Sequence, residues 1–143
     1  MTASGRELIE HYIQAEAARN WELLASMRHD DWTETWPQTG ERIVGTGNWR
    51  SIHENFPGYP EIKLNNVDGA DPDYVLSAAF TLVRLTGVGD AWVAQAVNRY
   101  TDGTTYRVVK LIELRDDKVH SETTYFSPET DAPEWRAGWV ERV

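Results

Sequence analysis

The stretch TYRVVKLIELRDDKVHSETTYF, residues 105–126, decides the fold. Two runs rich in β-branched and aromatic residues, 105–115 and 118–126, flank the two-residue turn Asp116-Asp117, which predicts a long antiparallel hairpin. Working outward, the turn Thr101-Asp102-Gly103-Thr104 joins it to a third run at 91–101, and further β-rich runs lie at 73–86 and 61–68. The second half of the chain therefore predicts an antiparallel meander.

The first half has helical spacing. Leu8, Ile9, Tyr12, Ile13 and Ala17 recur at steps of three and four, predicting an amphipathic helix over 5–19, with Ser4 and Glu7 spaced as a capping box. Asn20 is placed to cap a second helix from Trp21 to Met27. Residues 31–44 alternate through Trp32, Glu34 and Trp36 and turn at Pro37-Gln38-Thr39-Gly40, a hairpin pattern. A third helix is expected from Asn48 to Phe56, with Trp49, Ile52, His53 and Phe56 on one stripe and Pro57-Gly58 ending it. Helices followed by long strands predict one α+β domain, a curved antiparallel sheet that the N-terminal helices close into a cone-shaped α+β barrel. The tail, 127–143, carries Trp135 and Trp139 on a short helix, expected to clamp it onto the pocket mouth or a dimer partner.

Composition narrows the function classes. The chain has 143 residues, 14 Lys plus Arg against 23 Asp plus Glu, and a formal charge of −9. Such a chain repels phosphate backbones, so neither nucleic acid nor an anionic membrane is an expected partner. There is no cysteine, which excludes disulfides, thiolate metal sites and a cysteine nucleophile. No run of roughly 18 apolar residues predicts a membrane span, and residues 1–6 lack the apolar stretch of a signal peptide, so the cytoplasm is the expected compartment. His11, His29, His53 and His120 show no metal-ligand spacing, and no metal is expected.

The same order of elements, with Tyr12, the words WPQTGERI (36–43) followed by Gly45, LIELRDDKV (111–119) and Tyr125-Phe126, resembles the SnoaL-like polyketide-cyclase group. That group belongs to the nuclear-transport-factor-two-like (NTF2-like) superfamily, with ketosteroid isomerase and limonene epoxide hydrolase. The resemblance implies a pocket for a small hydrophobic molecule, acid–base chemistry without a cofactor, and a homodimer through the outer sheet face. It places Tyr12 where ketosteroid isomerase has its oxyanion-hole tyrosine. It also places Trp36, Leu111 and Thr124 where superfamily members carry acids, so the usual isomerase and epoxide hydrolase residues are missing.

Strand alternation supplies other candidates. If Trp36 points inward, so do Glu34 and Trp32; if Thr124 does, so do Glu122 and Phe126, with His120 in the same phase. Pairing about Asp116-Asp117 sets Glu122 opposite Leu111 and Glu113 opposite His120; pairing about Asp102-Gly103 sets Asn98 opposite Arg107. The inward phase of 105–115 is then Arg107, Val109, Leu111 and Glu113, which leaves Tyr106, Val108, Lys110, Ile112 and Leu114 as an exposed apolar stripe for the dimer. Glu122 and Glu34 are the candidate acid–base groups, because desolvation in an apolar cone raises a carboxyl pKa toward neutrality. Tyr12 is the candidate oxyanion donor. Trp32, Trp36, His53, Asn98, Arg107, Thr124 and Phe126 are the candidate substrate-binding residues. The alternative function is a non-catalytic ligand-binding or dimeric assembly module.

Overall fold

The computed structural model describes residues 5–55, 75–77, 80–100 and 103–143. The elements are α1 (Gly5–Ala17), α2 (Trp21–Met27), β1 (Arg28–Trp36), β2 (Glu41–Val44), α3 (Thr46–Glu54), β3 (Val75–Ser77), β4 (Phe80–Val88), β5 (Ala91–Arg99), β6 (Thr105–Arg115), β7 (Lys118–Pro128) and a 3-10 helix, Glu134–Trp139. The expected run at 61–68, the Ser4 cap and Phe56 lie outside the described residues.

Helix α1 stops at Ala17 because Arg19 turns into the left-handed region (φ 52°). Asn20 then caps α2, its side-chain oxygen accepting from Leu23 N at 3.2 Å. The hairpin turn is left-handed at both Asp116 (φ 52°) and Asp117 (φ 58°), as a two-residue type I′ connection requires.

Among the described residues, seven strands form one curved sheet in the order β2-β1-β7-β6-β5-β4-β3. The α+β class holds, with two differences from expectation. The run 73–86 divides into β3 and β4, which pair antiparallel with each other. The sheet is mixed, because β1 joins β7 in parallel, with Glu34 beside Glu122. Ile9, Tyr12 and Ile13 of α1, Leu24 of α2 and Trp49 of α3 pack with Trp32, Ile43, Leu85, Trp92, Ala94, Ile112, Leu114 and Val119 of the sheet to form the core.

The phase of β6 is the reverse of the expectation. Val108, Ile112 and Leu114 are buried, while Arg107, Leu111 and Glu113 are exposed. The cause is a bulge in β7 at His120: Leu114 pairs with Val119, but Glu113 pairs with Ser121 and Ile112 with Glu122. Beyond the bulge each β7 residue is one position out of the simple register, so Glu122 faces inward beside Ile112 instead of Leu111. At the next connection Asn98 pairs with Tyr106, and Arg107 with Val97.

Candidate active site

Two carboxylates sit side by side within the inner face. Glu34 on β1 and Glu122 on β7 are register partners, exposed by only 2% and 1%. A buried carboxylate must have its lone pairs answered. For Glu34, Oε1 accepts from the Thr124 hydroxyl at 2.6 Å and Oε2 from the Trp49 indole of α3 at 3.0 Å. For Glu122, Oε2 accepts from the Tyr12 hydroxyl of α1 at 2.5 Å and from the Trp32 indole at 2.8 Å. Its other oxygen, Oε1, has no hydrogen-bond partner among the described residues and faces Lys110 Nζ at 3.1 Å.

Lys110 is the hub. Its ammonium lies 2.9 Å from Glu16 Oε2, 3.1 Å from Glu122 and 3.4 Å from Glu34 Oε1. Arg28 supplies a second cation: its guanidinium stacks 3.6 Å from the Trp32 ring centroid, Nε donates to the Tyr12 oxygen at 2.7 Å, and Nη2 lies 3.8 Å from Glu16 and 3.9 Å from Glu122.

Protonation follows from this packing. Burial, reinforced by the charge on Glu122, pushes Glu16 up to about 8, so it carries a proton at neutral pH. Two carboxylates, Glu34 and Glu122, then face two cations. Burial would raise Glu34, but the Lys110 cation and the Thr124 hydrogen bond outweigh it and hold Glu34 below the ordinary range. Burial would lower Lys110, yet Glu122, Glu16 and Glu34 together keep it well above the ordinary lysine value. Burial and the Glu122 charge hold the Tyr12 phenol in its protonated form. Burial lowers His53, whose Nδ1 donates to the Trp49 carbonyl at 2.8 Å.

Of the residues expected to line the site, Tyr12, Trp32, Glu34, Glu122 and Thr124 meet in this network. His53 stacks on Trp49 at 3.8 Å. Trp36 lies edge-on to Phe126 at 5.8 Å, and its buried Nε1 has no partner among the described residues. Asn98 is half-buried on the inner phase, donating to the Tyr100 hydroxyl at 3.4 Å. Arg107 is not part of the lining: the bulge turns it outward, where it is 60% exposed and pairs with Glu129 at 2.9 Å. Trp135 and Trp139 are 74% and 82% exposed, so within one chain they do not clamp the tail to the described residues.

Three members of the network, Glu16, Arg28 and Lys110, were not expected from the sequence. Glu16 lies one helical turn beyond Tyr12, on the same face of α1, which is a usable signal. Lys110 is the lone cation within the apolar alternation of Val108, Ile112 and Leu114. Arg28, at the junction of α2 and β1, carries no such signal.

No family model and no curated protein matches the chain. Solved structures do. An NTF2-like protein of unknown function from Burkholderia xenovorans is 31% identical, covering 96% of this chain and 94% of its own, with a TM-score of 0.70. A candidate ketosteroid isomerase from Kribbella flavida is 23% identical over 96% of this chain and 88% of its own, TM-score 0.74. A Catenulispora acidiphila protein with a ketosteroid isomerase-like fold, solved with trimethylamine, is 16% identical over 87% and 88%, TM-score 0.57. The latter two share the fold; the first, similar in sequence along nearly the whole of both chains, shows that this chain belongs to the NTF2-like superfamily.

Proposed function

We propose that the chain is a SnoaL-like acid–base enzyme that needs no cofactor and isomerises, cyclises by an aldol-type step, or dehydrates a small hydrophobic carbonyl compound. One observation carries this reading: Glu122 is gripped through Oε2 by Tyr12 and Trp32, while Oε1, beside the Lys110 ammonium, has no hydrogen-bond partner among the described residues. A carboxylate oriented through one oxygen can take a substrate proton on the other. The Tyr12 proton is already directed at Glu122, and its oxygen already accepts from Arg28, so Tyr12 acts as the positioning residue of the base, a role different from the oxyanion donor of the sequence reading. The Lys110 ammonium offsets negative charge beside the base. Glu34, with both oxygens answered, is the weaker candidate.

The test is solvent deuterium exchange into a panel of cyclic ketones, followed by NMR, with Glu122→Gln and Glu34→Gln. Glu122→Gln is expected to slow exchange by about 10²-fold or more, the range of general base catalysis. Wild-type rates in both variants remove the mechanism.

A second reading, a non-catalytic binding or assembly module, is favoured by a network whose donors are so largely consumed internally. Tryptophan fluorescence on ligand addition, with no turnover, would select it. For assembly we propose a homodimer through the outer sheet face. Of the stripe expected there, Val108, Ile112 and Leu114 are buried and Tyr106 and Lys110 half-buried, but the bulge brings out another set: Val93 (37% exposed), Leu111 (39%) and Tyr125 (46%), joined by the half-buried Val109. Leu111→Lys is expected to give monomers in sedimentation equilibrium.

A further inference from the structure

The network leaves unused a group of metal-ligating side chains beside it. His29 and Asp31 of β1 and His120 of β7 each offer one ligand atom, and the three atoms lie within 4.8 Å of one another. The two imidazoles meet edge-on, 5.4 Å between centroids and 84° between planes. Neither is spaced with the other in sequence as a metal motif; two irregularities in the sheet assemble them. On β7 the bulge takes His120 out of the ladder. On β1 the register shifts between Arg28, opposite Val119, and Thr33, opposite Ser121, so the stretch holding His29 and Asp31 swells against the bulge. A fourth donor stands nearby: Asp116, on the β6–β7 turn, has Oδ2 4.0 Å from His29 Nε2, with its carboxylate 84% exposed and free to swing.

The donor set chooses the ion. Two imidazoles with one or two carboxylates suit zinc, cobalt, nickel or copper, whereas magnesium and calcium call for oxygen ligands throughout. Zinc holds such donors at roughly 2.0–2.2 Å, which in a tetrahedron separates them by roughly 3.4 Å. The three ligand atoms, within 4.8 Å of one another, have to close by roughly 1 Å to reach that spacing.

We propose that His29, Asp31 and His120, with Asp116 as the fourth ligand, bind a divalent transition metal ion of the zinc type. The ion clasps the swollen stretch of β1 to β7 and to the β6–β7 turn. Arg28 and Trp32 flank that stretch, and both contact Glu122, so the ion braces the segment that holds the buried carboxylate in place.

The test uses the full chain, stripped with a chelator. Titration with Co²⁺ is expected to give a saturable visible d–d band of one ion per chain. Zn²⁺ is expected to displace the cobalt and raise the melting temperature, since an ion bound to the native state alone stabilises it. His29→Ala and His120→Asn are each expected to weaken binding by about 10-fold or more, because even outer-sphere changes cost that much. The double variant is expected to lose the band, and His11→Ala, an exposed histidine on α1, to bind as wild type. A wild-type protein with no saturable cobalt band overturns the proposal whatever the variants do; so does a band that survives in the double variant.

Discussion

Glu16→Gln is the most informative single change. The amide imitates the protonated acid in size and lack of charge, and Glu16, pushed up to about 8, holds that proton at neutral pH. In the unfolded chain the group ionises near 4.5. Its folded pKa is therefore raised, and the stability it contributes is present at low pH and lost as pH rises from 4.5 through 8. Between pH 7 and 9 the unfolded carboxyl stays ionised, while the folded one passes from mostly protonated to mostly ionised, a loss of about 1 kcal/mol. The other shifted groups stay out of this window: Tyr12, Arg28 and Lys110 are held above it, Glu34 and His53 below it. Urea unfolding at constant ionic strength is expected to show wild type losing about 1 kcal/mol from pH 7 to 9, with Glu16→Gln shallower by that amount and already about 3 kcal/mol more stable than wild type at pH 7, because the amide has no proton to take up on folding. Parallel pH profiles for the two proteins would refute the assignment of the site's proton to Glu16.

Two further predictions concern stability. Lys110→Met strips the shared cation from Glu16, Glu34 and Glu122 and is expected to cost about 3–5 kcal/mol in urea unfolding at pH 7, against about 0–1 kcal/mol for Arg107→Ala at the exposed Glu129 pair. Gly87→Ala is expected to lower stability by about 1–3 kcal/mol, since the new methyl would lie 2.4 Å from the Ala91 carbonyl oxygen and 2.6 Å from the Trp92 ring. Gly47→Ala in α3, where a methyl meets nothing within 4 Å among the described residues, serves as the control and is expected to be neutral to slightly stabilising.

The helices, both hairpins and the inward phase of β1 were legible because each rests on a short periodicity or a turn that the residues themselves impose. The parallel joining of β1 to β7 was not, since nothing local to either strand states its partner. The phase of β6 failed for a more particular reason. A strand has period two, so one inserted residue reverses every side chain beyond it relative to its neighbour. In β7 the insertion falls between Val119 and Glu122, both buried though three residues apart. Without it, inward Val108, Ile112 and Leu114 on β6 would face Val119, Ser121, Thr123 and Tyr125, placing three hydroxyl-bearing side chains over the core and turning Glu122 out. With it, β6 buries its apolar set and β7 still buries Glu122, Thr124 and the half-buried Phe126. Glu122 was therefore correctly placed inside by its own strand's alternation, while Lys110, on the strand whose phase depended on the bulge, was placed outside. The discrepancy was visible in the residues: the apolar phase of 105–115 carries a lysine in its middle, and a lone ammonium among buried aliphatic side chains has to be matched by acids from other strands. Glu34 and Glu122, already assigned inward, were those acids. The three-residue step from Val119 to Glu122 is what reconciles them, and the same step sets His120 beside His29.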